Sequence, residues 1–492
     1  MRLEAAESRA SGRQPHPGTT WGEVGLAAPT RGRLHPEAEG KEYGMASKDG
    51  TRQATPAEPT GLSPDGTRPD PLLLLAQQEA KRLPWLLPVR HRRMAETPFT
   101  FFRGAAVVMA SDLARQPHSG LMVQLCGDAH LLNFGFYASP ERQLLFDLND
   151  FDETHPGPFE WDVQRLATSF LLAGRSLGLN EKQQSRICRR CVRTYGEAMA
   201  DFARMPVQKM WVMQLRLEQL INEQCSAGFK AHLNTVATTA LQRDSHQAVR
   251  KLCEITADGT LRFRHEPPLI WRFEELSQEW RAGLAWQEWA GSVAATYQDT
   301  LAPGPRRLFS QFRVCDTALK AVGVGSVGTR CGVTVLVGDH PDDVLVLQGK
   351  QAEPSVLAPY VAAEAPTHQG QRVVQGQQVM QTASDPFLGW GTNPRGDHLY
   401  VRHFRDWKAS VDIAQLDREG LKDYGRLCGW TLAKAHARSG NRHALTAHIG
   451  NPRAFAQVVL EQALAHAEQT ERDHAALVQG IAAGKVSSSA LL

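Results

Sequence analysis

The chain has 492 residues, 42% of them hydrophobic and 22% charged, with 55 Lys and Arg against 52 Asp and Glu for a formal net charge of +3. At about 100–200 residues per domain, that length predicts two to four domains and allows a large buried core. The near balance of charge excludes a general polyanion coat and a polybasic membrane binder, so neither nucleic acid nor membrane is an expected partner.

No apolar run approaches the roughly 18–20 residues of a membrane span; Leu72-Leu73-Leu74-Leu75 is the strongest and is far too short. The opening MRLEAAESRASGRQ carries acidic residues and no apolar core, so no secretory signal is expected. Eight cysteines in a chain of this length do not read as a disulfide framework. The expectation is a soluble, cytoplasmic protein.

Residues 1–69 are rich in Gly, Pro, Ser, Thr and charge, which predicts a disordered N-terminal extension. Order is expected from Asp70, where Leu73, Leu74, Gln77 and Leu83 follow a helical pattern. Segments 121–126 (LMVQLC) and 143–148 (QLLFDL) read as short buried strands. From Phe159 to about Trp289 the apolar spacing is helical, as in Leu166, Phe170 and Leu171. Residues 309–350 are β-branched and punctuated by glycine, with VTVLVG and VLVLQGK forming a hairpin around Asp339–Asp343. A helix near 368–382, a strand at 398–404 and helices from Gln415 to Ile481 complete the pattern.

The chemistry concentrates in Gly127-Asp128-Ala129-His130-Leu131-Leu132-Asn133 and, fourteen residues past Asn133, in Phe146-Asp147-Leu148-Asn149-Asp150-Phe151-Asp152-Glu153. Two carboxylates and an amide, each just beyond a short strand, can converge on one Mg²⁺ through hard oxygen atoms. A further carboxylate beside them can accept a hydroxyl proton. The competing reading is that Asp and Asn gather in turns because their side chains bond local backbone.

An Asp-x-x-x-x-Asn segment followed by a strand-borne Asp is how kinases lay out a catalytic loop and a metal loop. GDAHLLN resembles the catalytic loop of aminoglycoside phosphotransferase-like kinases, LLFDLND resembles their metal-binding segment, and Gly157-Pro158-Phe159-Glu160-Trp161-Asp162 resembles their helix start. The resemblance implies Asp128 as catalytic base, Asn133 and Asp147 as metal ligands, and Asp162 as a brace accepting backbone hydrogen bonds from the loop. The pattern departs at Cys126, which stands where those kinases have histidine.

Gly323-Val324-Gly325-Ser326-Val327-Gly328 satisfies G-x-G-x-x-G, with Asp343 twenty residues beyond Gly323 where a dinucleotide fold would place a ribose-binding acid. That fingerprint must open a helix, whereas VTVLVG follows here. A glycine loop between antiparallel strands, with a lysine on the third, suits ATP phosphates instead. Gly323, Gly325, Ser326, Gly328 and Lys350 are therefore the candidate nucleotide contacts, and Lys350 should lie within side-chain reach of Asp147. Its usual glutamate partner is open among Glu353, Glu364 and a position now held by Gln375. Strand 398–404 and Arg405–Lys408 would supply backbone groups that read the base.

Asp128, Asn133 and Asp147 precede the glycine loop, the reverse of the ordinary kinase order. Leu432-Ala433-Lys434-Ala435-His436 resembles the helix that normally leads into the catalytic loop, yet it lies near the chain's end. Circular permutation explains both. Residues 70–482 also resemble the DUF2252 family of bacterial proteins in the kinase-like superfamily, on PVRHRRMAETPFTFFRGAA, CGDAHLLNFG, FDLNDFDE, GVGSVGTRCG, SDPFLGW and CGWTLAKAHARSG.

The expected fold is thus α+β: a protein-kinase-like, two-lobed, circularly permuted fold with a disordered tail. Residues 70–308 would form the helical large lobe, 309–408 the β-rich small lobe, and 409–492 helices returning to the large lobe. The expected activity is Mg²⁺- and ATP-dependent phosphoryl transfer to a hydroxyl of a small molecule. The alternatives are a non-catalytic nucleotide-binding pseudokinase and transfer of AMP. Arg90, Arg93 and Arg103 suit either phosphate contact or structural pairing. Cys188-x-x-Cys191 lacks a second pair and reads as two positions of a helix rather than a zinc site.

Overall fold

Helical spacing and β-branched runs sort this chain into two kinds of layer, which meet at the acidic segment. The computed structural model describes residues 68–222, 225–278, 280–321, 327–404 and 406–488, all within one compact unit.

The strands are β1 (Met122–Leu125), β2 (Phe134–Ala138), β3 (Leu144–Leu148), β4 (His155–Pro158), β5 (Leu215–Arg216), β6 (Cys253–Ile255), β7 (Leu261–Phe263), β8 (Ile270–Arg272), β9 (Arg313–Lys320), β10 (Cys331–Val337), β11 (Val344–Gln351), β12 (Gly389–Thr392) and β13 (His398–His403). Six of them make one antiparallel sheet in the order β12-β13-β11-β10-β9-β8. The helix Gln369–Met380 connects β11 to β12 and packs on β13 and β12.

The helical part is built around Phe159–Ser176, which is buried nearly all round although its covered faces include Asp162, Gln164, Arg165, Thr168 and Ser169. Beside it runs Glu181–Arg204, opened by a capping box in which the Asn180 and Gln183 side chains bond each other's backbone amides. Helices Arg418–Ser439 and Pro452–Ala482 pack against these two, so the chain's last third completes the core begun before residue 180. Gly429 makes the contact possible: a Cβ there would stand 2.2 Å from the Cys191 carbonyl oxygen. Cys188 and Cys191 are buried helix positions with free thiols, as the lone pair of cysteines predicts.

One stretch differs from expectation. The helical run from Phe159 is broken by β6, β7 and β8, whose short lengths carry little periodicity of their own. The β6–β7 turn holds Asp258, which accepts from Thr256 Oγ1 and Thr260 N, and Gly259 at φ +81°. β8 then joins the large sheet through β9, and the helix Trp286–Gln298 packs on β12 and β9. The sheet-bearing part therefore draws on residues well before 309.

The end of helix Arg418–Ser439 meets the start of β1. Gln124 N donates to Ser439 Oγ at 3.0 Å, and a Cβ on Gly440 would lie 2.6 Å from Val123 Cγ1. Among the described residues, no helix is long and apolar enough to cross a membrane.

Candidate functional site

β1 delivers the chain into a loop whose backbone is pinned by one carboxylate. Asp162, in the first turn of Phe159–Ser176, accepts from Cys126 N at 2.7 Å and Gly127 N at 3.0 Å. His436 Nε2 lies 3.3 Å from the same carboxylate, and its Nδ1 meets Tyr195 Oη at 2.9 Å. Cys126 ties the loop onward instead, with Sγ donating to Asp150 O at 3.3 Å. Burial pushes its thiol well above the ordinary range, which keeps it a neutral donor. Gly127 has φ +82°, and a Cβ would sit 2.0 Å from Glu153 O. Only glycine allows the two loops to touch there.

Asp128 Oδ1 accepts from Arg165 Nε at 2.5 Å, and Oδ2 faces His130 Nε2 at 3.8 Å. Arg165 is itself fixed by Phe102 O at 2.9 Å and by the Phe102 ring below its guanidinium. Burial drives His130 down to about 3, so its ring is neutral. Asn133 Nδ2 donates to Asp128 O at 2.5 Å, which leaves Oδ1 as its available ligand atom.

The structure places Asp147 elsewhere. β2 and β3 pair Gly135 with Asp147, and the Asp147 carboxylate, 2% exposed, accepts from Lys434 Nζ and from Leu148 N. A carboxylate fully engaged with a buried ammonium inside the strand pair has no face turned to the Asp128 loop. Lys350 reaches Asp152 Oδ2 at 3.0 Å and Asp150 Oδ1 at 3.6 Å instead. The residues brought together around one small cavity are Asp128, Asn133, Asp150, Asp152 and Glu153. Asp150, just past the strand's end, lines this cavity, and Asp147 does not.

Burial alone would depress the Lys350 ammonium, but Asp150 and Asp152 outweigh it and hold it well above its usual value. Burial would likewise raise Asp150, and Lys350, Arg402 and Lys408 bring it below the ordinary carboxylate range. For Glu153 burial wins. It lifts the carboxyl to about 7, opposed by the Val356 N–H that it accepts at 2.8 Å and by the charge of Arg372.

Among the described residues, no helix glutamate lies within ion-pair distance of Lys350. The helix Gln369–Met380 contains no acidic residue. Its Arg372 holds the acidic loop by the backbone, donating to Asp152 O at 2.8 Å, Glu353 O at 2.8 Å and Thr154 O. Of the positions left open for a partner, Glu353 pairs with Lys81 at 2.9 Å, while Glu364 and Gln375 are exposed. The carboxylate that meets Lys350 most closely is Asp152, which also accepts from Tyr400 Oη.

Gly323, Gly325 and Ser326 lie outside the described residues. Gly328 is described, at φ +91°, with its carbonyl accepting from Leu83 N at 2.7 Å. β9 and β10 are antiparallel neighbours, and Cys331 on β10 pairs with Lys350 on β11. The element that follows is the strand β10, where a dinucleotide fingerprint would open a helix.

Among the described residues just after β13, several backbone groups are already engaged. Phe404 N donates to Val346 O, Trp407 N to Arg243 O, and Ala409 N to Phe136 O, while Lys408 O accepts from Arg243. Two cations converge there: Arg402 Nη1 and Lys408 Nζ both donate to Asn149 O, at 3.2 and 3.3 Å. Burial, reinforced by Arg402, depresses the Lys408 ammonium to about 7.

Asn133 Oδ1 and the Asp150 carboxylate, whose Oδ1 is buried without a hydrogen bond, are hard oxygen donors of the kind Mg²⁺ prefers. Among the described residues no group of three or more His, Cys, Asp or Glu side chains is already arranged around a metal. A metal here would rest on two protein ligands, with the remaining positions filled by water or substrate oxygens.

The chain matches the family model described as "Uncharacterized protein conserved in bacteria (DUF2252)" over residues 82–480. It is a DUF2252 protein. No curated protein and no solved structure matches it.

In this DUF2252 protein several site residues escape a motif reading. Asp150 and Asp152 lie within the recognised acidic segment, and the signal was strand length: β3 ends at Leu148, so the first carboxylate past it is Asp150. Arg165 is hidden inside a helix, and Arg82 and Arg372 are distant in sequence. Of the upstream arginines, Arg90 is structural, fully buried against Glu79 and Gly104 O. Arg103 lines the acidic cavity with its Nε buried and unpartnered.

Proposed function

We propose that this protein transfers the terminal phosphoryl group of Mg-ATP to a hydroxyl of a small molecule, in a circularly permuted kinase-like site. The observation that carries the reading is the meeting of Lys350, from the second strand after a glycine-rich segment, with Asp150 beside the Asp128–Asn133 loop. The sheet order β12-β13-β11-β10-β9, with a helix between β11 and β12, is the order of a kinase small lobe, and β8 extends it by one strand. The contact of Ser439 and Gly440 with β1 supports the permutation, because that helix would otherwise run directly into the strand.

In this reading Asp128, held at Oδ1 by Arg165, accepts the hydroxyl proton as the acceptor oxygen bonds to phosphorus and the bond to ADP breaks. Asn133 and Asp150 would hold Mg²⁺, which neutralises charge on the transferred group. Lys350 would contact the phosphates, tethered meanwhile by Asp152. Catalysis of this kind is positioning and electrostatics.

A second reading, a nucleotide-binding protein without turnover, is favoured by the engaged backbone after β13. Transfer of AMP is a third, since the same groups would serve a reversed nucleotide. Calorimetry of ATP with and without Mg²⁺, followed by ADP and AMP release in the presence of hydroxylated acceptors, separates them. Mg²⁺-dependent binding with ADP release is expected. Absence of nucleotide binding overturns all three readings, and binding without turnover selects the second.

A further inference from the structure

Beside the acidic cavity lies a second one of about 400 Å³. The two share Gln78, Arg82, Asp152 and Glu153 as a common wall. A volume of that size suits a small metabolite.

The charges around the second cavity are nearly all answered within the protein. Lys81 pairs with Glu353, which also accepts from Gln351 at 2.6 Å. Asp152 is engaged by Lys350 and Tyr400. Glu153 accepts from Val356 N. Arg82 is the exception. Its hydrogen bond is Nη1 to Val327 O at 2.6 Å, a neutral carbonyl, and no carboxylate among the described residues lies within ion-pair distance. Burial lowers its guanidinium to about 9, which is still cationic at neutral pH. A half-buried guanidinium on the cavity wall with most of its fork unused is a ready receptor for an anion. Gln78 Oε1 on the same wall is buried with no donor, and an amide oxygen in that state asks for a hydroxyl.

We propose that this cavity binds a small anionic molecule bearing a hydroxyl, with Arg82 receiving its phosphate or carboxylate and Gln78 accepting from its hydroxyl. The inference rests on the proposed function only in making this molecule the phosphoryl acceptor. A hydroxyl at the shared wall would lie on the path towards Asp128. The Arg82 guanidinium would fix the far end.

Matched probes test it on the full chain by calorimetry: glycerol 3-phosphate, glycerate and glycerol. The two anions should bind and glycerol should bind at least tenfold more weakly, with the phosphate–carboxylate comparison identifying the preferred anion. Arg82→Gln should reduce anion binding at least tenfold and Arg82→Lys less. Gln78→Leu, which leaves the cation in place, should weaken both anions several-fold. Each variant's melting temperature is measured alongside, so that loss of fold is not read as loss of binding. Equal binding of glycerol, unchanged binding by Arg82→Gln, or no binding of either anion overturns the proposal. Mg-ATP titrated into the same samples keeps the two ideas separate: nucleotide failure with anion binding intact removes the transfer reading and leaves the anion site standing.

Discussion

Lys350 Nζ lies 3.0 Å from the carboxylate of Asp152, a residue 198 positions earlier in the chain. This pair, joined by Asp150 at 3.6 Å, fastens the six-stranded sheet to the acidic loop. Removing the ammonium would leave two partly exposed carboxylates facing each other without their cation. Lys350→Met should therefore cost on the order of 2 kcal/mol, short of the cost of breaking a fully buried pair. Asp152→Asn should cost less, because Asp150 still answers the lysine. Urea denaturation of the two variants checks the order. Equal and small losses would show that the pair does not hold the cleft.

Asp147 and Asp150 look interchangeable in the sequence and are not in the structure. Asp147→Ala strands the buried Lys434 ammonium and should destabilise the protein by about 3–5 kcal/mol. Restoring neutrality with Asp147→Ala/Lys434→Met should recover much of that loss. Asp150→Ala should leave stability closer to wild type and remove Mg²⁺-dependent nucleotide binding. Calorimetry with Mg-ATP on the double variant and on Asp150→Ala decides between them. Mg²⁺-dependent affinity lost in the double variant and kept in Asp150→Ala would return the metal to Asp147.

The reason the motif pointed to an aspartate outside the cavity lining is physical. Asp147 is strand-borne, and a reader sees an acid beside apolar residues without seeing that both faces of β3 are covered, one of them by Lys434 from near the other end of the chain. Local patterns were legible where local forces decide: β1, β3, the hairpin β10–β11, and the helices whose apolar spacing and caps agree. The Asp162 brace was legible because its loop, strand and helix are contiguous. What could not be read were the contacts made only after folding, such as Arg165 on Asp128, Arg372 on the acidic loop and Asp152 on Lys350.

Base recognition should be weak. The amides of Phe404, Trp407 and Ala409 already donate within the protein, and Arg402 and Lys408 crowd the same region. A purine there would find few free backbone groups to distinguish its edges. GTP is expected to displace a fluorescent ATP analogue within about tenfold of ATP itself, since one lost hydrogen bond is worth about 1 kcal/mol. Discrimination of a hundredfold or more would mean that this segment rearranges on binding.

Glu153, held near 7 by burial, gives the protein a pH dependence of definite sign. Its carboxyl is protonated in the folded state over a window where the unfolded chain, titrating near 4.5, has already ionised. The folded state thus binds more protons between about 4.5 and 7, and stability must fall as pH rises through that window, levelling off above it. Glu153→Gln keeps the shape and removes the titration. The variant should match wild type near pH 4.5 and exceed it at pH 8 by on the order of 2 kcal/mol. Denaturant melts of both proteins at pH 5, 6, 7 and 8 measure the divergence. Parallel curves across that range would mean that Glu153 ionises in the folded state as it does in the unfolded chain, and its place between the two cavities would then carry no protonation switch.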